Sequence, residues 1–113
     1  MMELREYLDE SNRSAFAQWF DDLDAQAVAR VAIALERMAA GNLSNAKSVG
    51  EGVSEYRIDF GPGYRIYFGR DGAALIILLC GGTKKRQQRD IDKAKLHWAE
   101  YKRRKSSGVT SWR

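Results

Sequence analysis

Between Glu55 and Phe68 the chain alternates apolar and polar positions with a period of two, the pattern of strands that divide their side chains between two faces. Tyr56, Ile58 and Phe60 take one face, and Glu55, Arg57 and Asp59 the other. After Gly61-Pro62-Gly63, Tyr64, Ile66 and Phe68 continue the apolar face, and Arg65 and Tyr67 the polar one. A turn spanning Gly61–Gly63 would set Arg57 opposite Tyr67 and Asp59 opposite Arg65. Asp71-Gly72 is a hairpin signal. The unbroken apolar run Ala73–Cys80 reads as a central strand covered on both faces.

Elsewhere the period changes to that of helices. Phe16, Trp19, Phe20 and Leu23 form a stripe that Ser11 or Asn12 can cap. Val28, Val31, Ala32, Leu35, Met38 and Ala39 form a second, capped by Asp24 and stopped at Gly41. A last helix from about Gln87 to Arg104 carries Ile91, Ala94, Trp98 and Tyr101 on one side, nearly opposite Arg86, Arg89, Lys93 and Arg104. Met2–Leu8 is a short strand, and Gly41–Gly52 reads as a polar loop. The order β-α-α-β-β-β-α predicts a small α+β domain: a largely antiparallel sheet, two N-terminal helices on one face, and a basic C-terminal helix. Residues 1–105 form this single domain, and 106–113 a flexible tail.

Charge is distributed unevenly along the chain. The formal net charge is only +4, but acids prevail before Gly41. From Lys84 to Lys105, Lys84, Lys85, Arg86, Arg89, Lys93, Lys95, Lys102, Arg103, Arg104 and Lys105 face only Asp90, Asp92 and Glu100. Such a block points to a polyanionic or acidic partner. No apolar run approaches the roughly 20 residues that cross a bilayer, and no signal-peptide pattern opens the chain, so no membrane association is expected. The single cysteine, Cys80, allows no intramolecular disulfide, which fits a reducing cytoplasm; in its apolar strand it reads as a buried small hydrophobe.

Trp19, Gly41-Asn42, Gly52, Glu55-Tyr56-Arg57, Gly61-Pro62-Gly63-Tyr64-Arg65, Tyr67, Leu79-Cys80-Gly81-Gly82, Lys84, and Gln87–Asp92 running into Lys95 together resemble the RelE/ParE toxin superfamily, and within it the phage-derived, HigB-type addiction-module killer branch. The resemblance runs through nearly the whole chain. It implies a RelE/ParE-like fold and the toxin role of a type II toxin–antitoxin pair, usually ribosome-dependent cleavage of messenger RNA that blocks translation. The partners implied are the ribosome with its message and a helix-turn-helix antitoxin, in a hetero-oligomer. The branch often carries Asp-Lys-Ser-Thr-Gln after the double glycine; Thr83-Lys84-Lys85-Arg86-Gln87 keeps Lys84 and Gln87 but replaces the hydroxyls with cations.

Metal-independent RNA cleavage uses the neighbouring 2′-hydroxyl as nucleophile. The protein must help remove its proton, offset charge on the phosphorane and protonate the leaving 5′-oxygen. The chain has no HExxH, no cysteine pair and one histidine, so neither metal nor other cofactor is expected. The catalytic candidates are Arg57 and Arg65 as forks on phosphate oxygens, Lys84, with Lys85 as the alternative, for proton transfer, and Tyr67 to stack on a base or donate a proton. Lys85, Arg86, Gln87, Arg89 and Lys93 are the RNA-binding candidates, and His97 invites a general-acid role or is a rim residue. Glu55 and Asp59 are expected to pair with Arg57 and Arg65, and such a ladder can equally be plain solvated surface. Two other readings stay open: a ParE-like inhibitor of DNA gyrase, and a non-catalytic prophage module that binds nucleic acid or protein.

Overall fold

A computed structural model describes all 113 residues. The elements run β1 (Glu3–Glu6), α1 (Ala15–Asp21), α2 (Ala25–Ala39), β2 (Ala46–Gly50), β3 (Val53–Ile58), β4 (Tyr64–Asp71), β5 (Leu75–Thr83), a single 3₁₀ turn (Lys84–Arg86) and α3 (Gln87–Ser106). This is the expected α+β domain with one strand more than the hydrophobic pattern predicts. The polar segment Gly41–Gly52, expected to be a loop, contains β2, an edge strand paired only with β3. Edge strands need little apolar sequence, and here Ala46 and Val49 alone turn inward between exposed residues.

The sheet order is β1-β5-β4-β3-β2, with β1 parallel to β5 and the other pairs antiparallel. β4, not β5, is therefore the central strand. β5 is internal, between β1 and β4, and covered on both faces as its apolar run predicts. A bulge at Leu79 of β5, opposite Tyr67 and Phe68 of β4, puts Leu79 and Cys80 in one core while Ile76 and Leu78 lie in the other. Burial pushes the Cys80 thiol up to about 12, in keeping with an inert core residue.

Two apolar layers sandwich the sheet. On one side Phe16, Val31, Ala34 and Met38 pack on Tyr56, Ile58, Ile66, Phe68, Ile76 and Leu78. On the other, Ile91, Ala94, Trp98 and Tyr101 of α3 pack on Tyr7, Val53, Tyr67, Ile77 and Leu79. Asp24 caps α2 as expected, accepting from Ala27 N–H at 2.8 Å. α1 begins later than Ser11 or Asn12, because Asp9 ties that stretch into a turn by accepting from the N–H groups of Ser11 and Arg13. Ser14 takes the cap instead: it accepts from Ala17 N–H at 2.9 Å and donates to Glu6 at 2.7 Å.

The double glycine of β5 lets helices approach from both faces. A methyl group on Gly81 would lie 2.1 Å from the Trp19 ring, and one on Gly82 1.9 Å from Asp90 Oδ2. Close approach of the backbone to both helices accounts for the pair. Gly81→Ala is expected to cost about 1–3 kcal/mol by overpacking, seen as a lower urea midpoint with an unchanged slope. An unchanged midpoint would mean that Trp19 is not seated there.

The C-terminal residues expected to form a flexible tail are docked on β1. Glu6 and Arg113 exchange backbone hydrogen bonds at 2.9 and 3.0 Å, Leu8 N–H donates to Ser111 O, and Trp112 bridges to Tyr7. Arg104 caps the arrangement by donating to Leu8 O at 2.7 Å, and Arg5 lies over the Trp112 ring. The role of Trp112 is therefore structural: it covers the outer edge of the sheet.

Candidate functional site

The site forms where the first turn of α3 meets the face of β3 and β4. The connection between these strands runs from Asp59 to Gly63, longer than a Gly61–Gly63 turn. Within it Phe60 N–H donates to Ile58 O and Gly63 N–H to Phe60 O, each at 3.0 Å, while Gly61 and Gly63 take positive φ angles of 56° and 78°. The register shifts accordingly. Arg57 lies opposite Arg65 and Glu55 opposite Tyr67, in place of the Arg57–Tyr67 and Asp59–Arg65 pairs expected; Asp59 falls in the loop.

Glu55 is the hub of the site. Its carboxylate is fully buried. One oxygen accepts from Arg57 Nε at 3.1 Å and lies 3.5 Å from Arg65 Nε, an ion pair without a hydrogen bond. The other accepts from Gln87 Nε2 at 2.8 Å and from the Tyr67 hydroxyl at 3.2 Å. Burial works against the charge, but the hydrogen bonds from Gln87, Arg57 and Tyr67 and the Arg65 charge outweigh it, holding the carboxyl below its ordinary range. Of the two acids expected to pair with the arginines, Glu55 pairs with both, while Asp59, carried into the loop, pairs with neither. The central place of Glu55 escaped the sequence because period-two alternation gives the face but not which part of that face α3 covers.

The four catalytic candidates fare differently. Arg57 is half-exposed, with 42% of its side chain open to solvent. Arg65 is almost wholly buried; Nη1 rests on Tyr64 O at 3.4 Å. Lys84 is exposed at the rim, its N–H donating to Gly63 O at 2.8 Å. A methyl group on Gly63 would sit 3.3 Å from Arg65 Nη1 and 3.4 Å from Lys84 Cβ, so these two residues flank the same loop. Tyr67 is fully buried, and burial together with the Glu55 carboxylate holds its phenol well above the ordinary range. It has no face open for a base to stack on, and its hydroxyl donates to Glu55, so it positions that carboxylate.

The RNA-binding candidates divide around the 3₁₀ turn. Gln87 points inward to Glu55. Arg86 and Lys93 line a separate cleft of about 380 Å³ with Gln18, Trp19 and Asp90. Lys85 and Arg89 are exposed. None of Lys84, Lys85, Arg86, Arg89 and Lys93 is in an ion pair, whereas Lys95, Arg103 and Lys105 pair with Glu51, Glu100 and Asp71. Five unpaired cations thus cluster around the 3₁₀ turn and the start of α3, beside the site, while Lys102 and Arg104, also without ion pairs, lie at the far end of the helix. No group of three or more His, Cys, Asp or Glu side chains is disposed to hold a metal ion.

His97 lies ten residues into α3, about 15 Å along its axis from Gln87. It packs against the Tyr7 ring at 5.0 Å between centroids, with Nε2 buried and unpartnered. Burial and the nearby Lys93 lower its pKa, against the opposing pull of Asp9. It is expected to titrate below 6.5 when its ring protons are followed by NMR. Because the unfolded chain takes up that proton first, acidification from about pH 6.5 down to the folded value costs stability. A midpoint at or above 6.5 would contradict this packing.

No helix is long and apolar enough to cross a membrane. Residues 18–104 match the family described as phage derived protein Gp49-like. A protein of Haemophilus influenzae, described only as uncharacterized, is 43% identical over 82 residues, which cover 72% of this chain and 83% of that protein. The matched span excludes β1 and the docked C-terminus but contains Glu55, both arginines, the basic turn and α3. The chain belongs to the phage-derived Gp49-like family, a family of RelE-like toxins.

Proposed function

We propose that this protein is the toxin of a type II toxin–antitoxin pair, of the HigB type, and acts in the cytoplasm as a ribosome-dependent endoribonuclease on messenger RNA. The observation that carries the reading is the Glu55-anchored pair of guanidinium groups, Arg57 and Arg65, flanked by Lys84 and backed by cations without counterions. Arg57 forks onto the nonbridging oxygens of the scissile phosphate. Arg65, fixed by Glu55, adds preorganised positive charge, and Lys84 at the rim supplies charge or a proton to the leaving 5′-oxygen. Lys85, Arg86, Arg89 and Lys93 hold the flanking backbone.

The arrangement also accounts for a need of the ribosome. Glu55, the one carboxylate at the centre, is covered and its oxygens face four donor side chains, so it is not free to take the proton of a 2′-hydroxyl. The 2′-hydroxyl proton then passes to water or to a group of the ribosome, and a ribosome that fixes the message also aligns the 2′-oxygen with the phosphate. A helix-turn-helix antitoxin is the expected inhibitor.

The test is primer extension on a defined message with purified protein, with and without translating ribosomes. New 5′ ends are expected only with ribosomes present, and fewer with Lys84→Ala. Equal cleavage of naked message would remove the ribosome from the proposal. Intact message beside gyrase-dependent DNA breaks would replace it altogether.

A further inference from the structure

Arg57 also lines a cleft that the candidate chemistry does not use. It opens between α2 and the end of β3, measures about 260 Å³, and adjoins a second hollow of about 280 Å³ beside β2 through Asn45, Arg57 and Asp59. Its helical wall is a stripe of Arg30, Ile33 and Arg37, spaced i, i+3, i+7 and so on one side of α2. Ile33 is 46% exposed, one of few large apolar side chains left open, and Ala34 and Ile58 continue the apolar floor. Cations surround it: Arg30, held over the Phe60 ring at 4.5 Å, Arg37, Arg57, and Lys47 from the adjoining hollow. None of Arg30, Arg37 and Lys47 has an ion-pair partner, and the sole carboxylate in either lining is Asp59.

We infer that this cleft docks an acidic, amphipathic segment of a partner protein. An apolar side chain of the segment seats against Ile33, Ala34 and Ile58, and acids on either side of it meet Arg30 and Arg37. The two arginines are seven residues apart on α2, about 10 Å along the axis, a span matched by acids seven apart on one face of a helix. An exposed isoleucine between two unpaired arginines suits a peptide better than a nucleic-acid backbone, which would leave the apolar stripe wet. Arg57 borders this cleft and belongs to the proposed cleavage site, so an occupant would also cover the group that meets the phosphate. That consequence, though not the docking itself, rests on the toxin reading.

The full chain, immobilised, is panned against a phage-displayed library of random dodecapeptides. Enriched peptides are synthesised, and their affinities measured by fluorescence anisotropy. Peptides with Asp or Glu flanking Leu, Ile or Val are expected, with binding weakened about tenfold or more by Ile33→Asp and by Arg37→Glu, and unchanged by Leu96→Asp on the exposed side of α3. Enrichment of peptides without acids, or binding indifferent to both cleft variants, overturns the inference. So does an oligouridylate whose binding falls with Arg37→Glu while Ile33→Asp leaves both it and the peptides unaffected, because the cleft would then belong to RNA. Message cleavage by Ile33→Asp with ribosomes separates the two proposals. Cleavage without cleft binding in the wild type defeats the docking site alone, and peptide binding without cleavage defeats the toxin chemistry alone.

Discussion

Replacing Arg57 by alanine is expected to slow ribosome-dependent message cleavage by about 10²–10³-fold, the loss typical of one preorganised donor to a developing oxyanion, and to abolish growth arrest on expression. The fold is expected to survive intact. The Arg57–Glu55 contact is half open to water, and exposed pairs of this kind contribute about 0–1 kcal/mol. Activity and stability therefore separate at this position, which they do not at Arg65. Arg57→Lys tests geometry against charge: it keeps the cation but loses the fork, and is expected to recover only part of the rate. The measurements are primer-extension rates with purified ribosomes and a thermal melt of each variant. A toxic Arg57→Ala that cleaves message at the wild-type rate would remove the guanidinium pair from the mechanism.

Glu55→Ala is expected to be the most damaging single change to stability in the site. It strips the acceptor from Tyr67 and Gln87 and leaves Arg65, whose side chain is only 7% exposed, as a buried cation without its partner. Breaking a buried pair from one side costs about 3–5 kcal/mol, which for a chain of this size lowers the melting temperature by roughly 10–20 °C. Glu55→Gln, which keeps the shape, isolates the charge. The Glu55 carboxyl is held below its unfolded value, so its stabilisation is complete above the unfolded pKa and is lost as pH falls through the folded one. As acid is added the unfolded chain binds that proton first. The wild type is accordingly expected to lose stability over Glu55 more steeply on the acid side than Glu55→Gln. Asp9 and Asp71, also held low by their hydrogen bonds, contribute equally to both and cancel in the difference. Parallel melting curves for the two proteins from neutral pH into acid would show that the carboxylate is not the charged hub described here.

The alternation from Glu55 to Phe68, the stripes of α1, α2 and α3 and the apolar run of β5 were enough to write the α+β architecture from sequence. They follow from burial alone, and burial leaves a period that can be read along the chain. β2 left no such mark because an edge strand is held by backbone hydrogen bonds on one side and needs few apolar residues. The C-terminal residues were illegible for a similar reason: Ser111 and Trp112 are fixed by β1, more than a hundred residues away in the chain.

For the site, the sequence by itself determined the ingredients: two arginines, a tyrosine and a glutamate on one face of a hairpin, and a block of cations opening the helix behind it. Only the tertiary structure decided their roles. The Asp59–Gly63 loop set the register that puts Arg57 beside Arg65, and the first turn of α3, by closing over Glu55, turned Tyr67 from a candidate for contact with RNA into a buried support. Those outcomes depend on loop conformation and on which part of a face a distant helix covers, and no local periodicity encodes either.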